Sequence, residues 1–360
     1  ISAYAIEHKH LLLRPESLDD QVIEERKVWI VLGMISSWMV LVTASMLAIS
    51  LLGAYAMPAY PGATLEELRH FLGEVEIVAA IAEDQEQVDK ILELKDAGAE
   101  GIDHIIYDEA RGLGFYEVEG LLSWDHLIEV GQHDLNETPG LREELLSRAK
   151  PEDPAIFLHS SGTTGAPKGI VLSQKNVLAA ARNGHAAGAF DENEEILAYL
   201  PMAWVGDYAI TVAAALLWRF TVNVPERQET VVRDMREIAP TFYLAAPRSW
   251  DQMLTTIQVG IENSTPFKKW LYHFFMDRAI AAETRKLNGK SGGILEPLGR
   301  LLGEAIVFGP IKDQFGMSRL KNAFTGGEVL DLDPAFGQLG NAGREALRAE
   351  PQPGKISAPG

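Results

Sequence analysis

Between Val28 and Leu65 the chain carries no charged side chain. A stretch of this kind must leave water, and it has two places to go: a bilayer or the interior of a folded domain. Val28–Leu52 is long enough to span a bilayer, and Arg26 and Lys27 precede it as a positive cytoplasmic flank would. Its texture, however, changes along its length. Lys27–Leu32 is β-branched and aromatic, as in a buried strand, and Gly33–Ser37 has the residues of a turn. Trp38–Leu51 reads as a buried helix, and Gly53–Met57 as a second strand ended by Pro58 and Pro61. A strand–helix–strand unit buried on both faces has the same hydropathy as a membrane span. Both readings stand on the sequence, with Gly33 and Gly53 at the joints favouring the buried unit.

After Pro61 the pattern becomes amphipathic. Thr64, with Glu67 three residues on, is a capping box that predicts a helix through Leu72. Strands are expected at Val75–Ile81 and Gly101–Tyr107, with a helix at Gln85–Asp96 between them. Short helices follow at Leu121–Gly131 and Leu141–Lys150, around a loop at His133–Gly140. Beyond a break at Pro151–Pro154, strands are expected at Ile196–Tyr199, Thr221–Val224 and Thr241–Ala245. The accompanying helices are Tyr208–Trp218, Glu229–Glu237, Ser249–Glu262 and Phe267–Leu287. Alternation at this spacing gives parallel βαβ units, so the fold class is α/β. The pattern fades after Asp331, and Pro351–Gly360 has the composition of a disordered tail.

Composition removes several functions. With 51 acidic and 32 basic residues, the net charge of −19 opposes a phosphate backbone, so nucleic acid is not an expected partner. The absence of Cys excludes disulfides, thiolate zinc sites, Fe–S clusters and cysteine nucleophiles. The nine His show no metal-ligand spacing; His8 and His10 alternate as on one strand face. No basic segment followed by an apolar core opens the chain. The expected setting is therefore cytoplasmic, with peripheral membrane contact left open.

One segment carries chemistry. Ile156-Phe157-Leu158-His159 is an apolar strand that runs into Ser160-Ser161-Gly162-Thr163-Thr164-Gly165-Ala166-Pro167-Lys168-Gly169, and the chain returns to a strand at Ile170–Leu172. The glycines let backbone N–H groups turn inward with no Cβ in the way. The hydroxyls of Ser160, Ser161, Thr163 and Thr164 offer donors to phosphate oxygens or a ligand to Mg²⁺, and Lys168 adds a mobile positive charge. A generic polar turn needs neither this density of hydroxyls nor Pro-Lys-Gly after it. The segment is not a Walker A loop, because Pro167 stands at the second Gly position and Gly169 follows Lys168.

Ser160 to Gly169 resembles the signature phosphate loop of the AMP-forming adenylating enzymes, which include acyl-CoA synthetases, peptide-synthetase adenylation domains and luciferases. The likeness covers about residues 25 to 330. Tyr55 to Pro61 and Thr64 to Leu68 are similar to the strand and helix that precede the loop, and Leu200-Pro201-Met202-Ala203-Trp204-Val205 to the next core motif. Ala246-Pro247-Arg248 followed by a helix resembles an element of long-chain acyl-CoA synthetases, and Thr325-Gly326-Gly327-Glu328 the glycine turn along the adenine. The resemblance implies the large N-terminal domain of such an enzyme over 1–330, with a sub-boundary near 151 and a divergent tail over 331–360. It implies a fatty carboxylate, ATP with Mg²⁺, and CoA as partners. Ser160, Ser161, Gly162, Thr163, Thr164, Gly165 and Lys168 would hold the phosphates. Thr164 and Lys168 would serve catalysis, with Thr164 also on the metal. Gly326, Gly327 and Glu328 would lie at the adenine, with Trp204 and Arg248 at the acyl pocket.

The departures from the family pattern carry implications too. Trp204 stands where an aromatic or His gates the substrate; it cannot act as a base but can wall the pocket. No Tyr-Gly-x-Thr-Glu follows Gly327, no Thr-Gly-Asp is present, and neither the hinge Arg nor the small C-terminal domain with its Lys is identifiable. The expectation is an N-terminal portion unable to complete acyl-CoA synthesis alone. An inactive nucleotide- or acyl-binding remnant and a membrane-anchored protein are the rival classes. Among single residues, His159 is either packed beside the loop or on substrate, and Arg248 either pairs with an acid or meets ligand. Asp207 and the run Asp191-Glu192-Asn193-Glu194-Glu195 are read as solvated.

Overall fold

The computed structural model of the chain describes residues 28–32, 38–73, 75–99, 101–160, 168–225, 227–288 and 296–326. They form two compact units, one drawn from Ile1–Asn183, Ala198–Leu217 and Val224–Gln228, the other from Gly184–Leu197, Trp218–Asn223 and Glu229–Gly360.

The first unit is built on a seven-stranded sheet of order β5-β4-β3-β1-β2-β6-β7. Its strands are β1 (Val28–Leu32), β2 (Tyr55–Ala59), β3 (Ile77–Ala82), β4 (His104–Tyr107), β5 (Leu121–Ser123), β6 (Pro154–Ser160) and β7 (Lys168–Ser173). All neighbours run parallel except β6 and β7, which form an antiparallel hairpin. The charge-free stretch is thus β1, helix Trp38–Leu51 and β2, with the expected turn at 33–37 outside the described residues. No described helix is long and apolar enough to cross a membrane. Helix Trp38–Leu51 is apolar around its circumference because it lies against β2, β6 and the helix Leu141–Arg148. Its buried Ser50 hydroxyl is satisfied by donating to the Ala155 carbonyl at 3.3 Å.

Alternate residues of β2 (Tyr55, Met57 and Ala59) join Ile77, Ala80, Ala82 and Phe157 in one core. Leu68 and Phe71 from helix Leu65–Leu72, and Val88, Ile91 and Leu94 from helix Gln85–Asp96, pack onto it. β3 is buried at every position, as a strand flanked on both sides and covered on both faces must be. The capping box forms as expected: Glu67 N–H donates to Thr64 Oγ1 at 3.2 Å, and Thr64 N–H donates to Glu67 Oε2 at 2.7 Å. Thr64→Ala should cost about 1 kcal/mol, read as a lower urea midpoint.

Three local expectations change. β2 does not stop before Pro58 but continues to Ala59, with Val31 opposite Pro58 and Leu32 opposite Ala59. Its pairing with β6 is confined to Ala56 opposite Ile156, so past that point one side of β2 asks no N–H of a proline. The segment expected as helix Leu121–Gly131 opens as β5, and the helix runs Trp124–Glu137, through part of the expected loop. Ser123 sets that boundary by accepting the His126 N–H at 3.2 Å. Beyond the Pro151–Pro154 break, β6 and β7 join the same sheet at β2.

The second unit holds two small parallel sheets. β8 (Glu195–Leu197) pairs with β9 (Thr221–Asn223), and β10 (Phe242–Ala245) with β11 (Asn322–Thr325). Helices Val231–Ile238, Pro247–Glu262 and Pro266–Leu287 correspond to expected ones, whereas Glu296–Gly303 and Gly309–Gln314 were not anticipated. Glu194 corrects the reading of the acidic run as solvated. It is fully buried, accepting from the Asp191 N–H at 3.1 Å and from the Thr241 hydroxyl, with Lys321 Nζ at 3.7 Å. The tail 331–360 lies outside the described residues.

Candidate functional site

The hairpin β6–β7 positions the phosphate-loop candidates. Its ladder runs from Pro154 opposite Ser173 to Ser160 opposite Lys168, so these two residues close the hairpin face to face. Ser161, Gly162, Thr163, Thr164, Gly165, Ala166 and Pro167 lie outside the described residues. β6 runs parallel to β2, so the segment leaves the sheet at the carboxyl end of a parallel strand, where open α/β sheets form their ligand crevices. Lys168 is exposed at this end. His159, one position earlier, packs into the scaffold: its ring stacks on Phe71 at 3.6 Å and meets the edge of Phe157 at 5.0 Å.

Trp204 is half-buried and caps the helical run that begins at Val205–Asp207. Asp207 and Tyr208 N–H groups both donate to its carbonyl, at 3.1 and 3.4 Å. The run then widens into a π-helix over Tyr208–Ala214, a geometry that is rare and concentrated at functional sites. Asp207 overturns the expectation of a solvated carboxylate, being only 5% exposed. The Thr211 hydroxyl donates to its Oδ1 at 3.2 Å, while Oδ2 is buried with no partner among the described residues. Burial raises its pKa from 3.8 to about 7, against a smaller opposing effect of the Thr211 hydrogen bond. Tyr208 beside it is pushed up to about 12 by the same loss of water. Asp207 is the only charge between Glu195 and Arg219, and that isolation was the sequence signal for burial.

In the second unit, β10 and β11 end in register, Ala245 opposite Thr325. Arg248 and Gly326 therefore follow from the same edge of one sheet. Arg248 is exposed in the first turn of helix Pro247–Glu262 and makes no ion pair among the described residues. Thr325 Oγ1, next to Gly326, is buried without a hydrogen-bond partner among the described residues. Gly327 and Glu328 lie outside the described residues.

An open, mostly parallel sheet with one antiparallel pair at its edge, among helices, defines an α/β protein of the open-sheet class. Within that class the chain belongs to the AMP-binding enzyme family, whose model matches residues 22–336. It is similar to the long-chain-fatty-acid–CoA ligase ACSBG2 of Rattus norvegicus, at 25% identity over 305 residues covering 82% of this chain and 44% of that protein. The fold is that of a luciferase-like enzyme from the nonluminescent Zophobas morio mealworm, with a TM-score of 0.56 at 17% identity, covering 94% of this chain and 60% of that one. It is shared with an acetoacetyl-CoA synthetase from Streptomyces lividans, with a TM-score of 0.54 at 16% identity, covering 94% and 42%. The chain spans less than half the length of the rat ligase.

Proposed function

We propose that this chain contributes the nucleotide- and acyl-binding surfaces for ATP-dependent activation of a fatty carboxylate. A carboxylate oxygen attacks the α-phosphorus of Mg·ATP, the α–β anhydride bond breaks, and pyrophosphate leaves with the released electron pair. The thiol of CoA, losing its proton, then forms a bond to the acyl carbonyl carbon and AMP departs. Ser160 to Lys168 would hold the β- and γ-phosphates, Thr164 would reach the Mg²⁺ carried by ATP, and Gly326 to Glu328 would lie along the adenine. Trp204 and Arg248 would contact the acyl substrate. Catalysis on such a surface is mainly positioning and charge neutralisation. The observation that supports this most is the strand register placing Ser160 beside Lys168 at the hairpin mouth, in a chain of this family. The long acyl chain rests on the names of relatives such as the rat ligase. The proposed setting is cytoplasmic.

Titration of Mg·ATP tests the reading. Lys168→Ala should bind roughly ten- to a hundred-fold more weakly, the effect of one charge-assisted hydrogen bond, with an unchanged urea midpoint. Equal affinity of the two proteins would remove the hairpin from the nucleotide site.

A further inference from the structure

We infer that Gly206 is a positioning residue that seats the Trp204 indole, and that residue 206 thereby sets the depth of the acyl pocket. The inference rests on the proposed role of Trp204 as a wall of that pocket. A Cβ built on Gly206 would lie 2.7 Å from both Cη2 and Cζ3 of Trp204 and 3.0 Å from Cζ2. Carbon atoms do not approach so closely, so the benzo edge of the indole occupies the volume that any other side chain would fill.

The backbone supplies no other reason for a glycine here. Gly206 is absent from the residues with positive φ and sits in the helical Val205–Asp207 turn. Alanine is ordinarily the better residue in such a turn. The main chain of Trp204 is also pinned, since its N–H donates to the Pro201 carbonyl at 2.9 Å while its own carbonyl accepts from Asp207 at 3.1 Å. A methyl at 206 would therefore be accommodated by movement of the indole, away from the helix it now lies on. A displaced indole would shorten a pocket that it walls, whereas its removal would lengthen it.

A double-mutant cycle on the full chain, with Gly206→Ala, Trp204→Ala and the pair, separates the structural and functional parts. Thermal midpoints should show a sign reversal: Gly206→Ala lowers the midpoint when Trp204 is present and raises it in the Trp204→Ala protein. Displacement of a fluorescent fatty acid by octanoate and by palmitate, with saturating Mg·ATP, reads the pocket. Gly206→Ala should reduce the preference for palmitate about tenfold, the scale on which apolar pockets discriminate by size. Trp204→Ala should not, and adding Gly206→Ala to it should change nothing further. Mg·ATP affinity should be the same in all four proteins.

The same change in midpoint on both backgrounds would overturn the seat itself. A reversed sign with an unmoved octanoate-to-palmitate ratio would overturn the assignment of specificity to residue 206, with fatty-acid binding intact. A wild-type chain that displaces no fatty acid, yet still shows the sign reversal, would overturn the inference through the proposed function rather than through the geometry.

Discussion

Asp207→Asn should be more stable than the wild-type chain at pH 8, by a margin that shrinks as pH falls toward the ordinary carboxyl value of 3.8. The carboxyl is buried with one oxygen unpartnered, and its pKa rises from 3.8 to about 7 on folding. Between those values the folded chain holds a proton that the unfolded chain has released. Stability therefore falls as pH climbs through that window, and above pH 7 the full cost of the buried charge is present. A displacement of this size corresponds to roughly 4 kcal/mol. Asparagine has the shape of the protonated acid and no charge to bury, so its curve should stay flat where the wild type declines. Urea midpoints from pH 5 to pH 8 give the answer, and two parallel curves would show that Asp207 is solvated or paired when ionised. No cation lies against this carboxylate among the described residues, and only the Thr211 hydroxyl opposes its desolvation.

Gly316→Ala should be the most damaging of the glycine-to-alanine changes in the second unit. Gly316 has φ +69°, and a Cβ there would stand 2.0 Å from the Met235 carbonyl oxygen and 2.2 Å from its carbon. Both obstacles are backbone, and the left-handed conformation adds its own strain. Together they suggest a loss of roughly 2–5 kcal/mol. Gly188 is the control, with φ +72° and nothing within 4 Å of its built Cβ. Gly188→Ala should show the conformational strain alone, about 1–2 kcal/mol. Similar losses in chemical denaturation would mean that the approach to Met235 relaxes freely.

Much of the scaffold is legible from local chemistry. The capping box of Thr64 and Glu67 and the texture change at Trp38 are decided by neighbouring residues, so reading them in sequence works. What escapes depends on partners distant in the chain. Glu194 sits in a run of charges and looks solvated, but Thr241 and Lys321 bring it inside. At the hairpin, the two strands ending at Ser160 and starting at Lys168 were legible because the composition of the segment between them marks a break. The seat beneath Trp204 was not, since a helical glycine discloses nothing of the ring lying on it.

β1 comes first in the chain among the described strands yet stands in the middle of the sheet. During synthesis the centre is therefore released before the edges. β2 and β3, its two lateral neighbours, follow at once; β4 and β5 extend one margin, and β6 and β7 are added last on the other. Every one of these parallel pairings is non-local, from Val28 opposite Tyr55 to Ala56 opposite Ile156, and contacts of that kind form slowly. The hairpin carrying Ser160 and Lys168 joins a framework already present. Residues at its mouth are thus free to vary without reopening the question of whether the sheet forms.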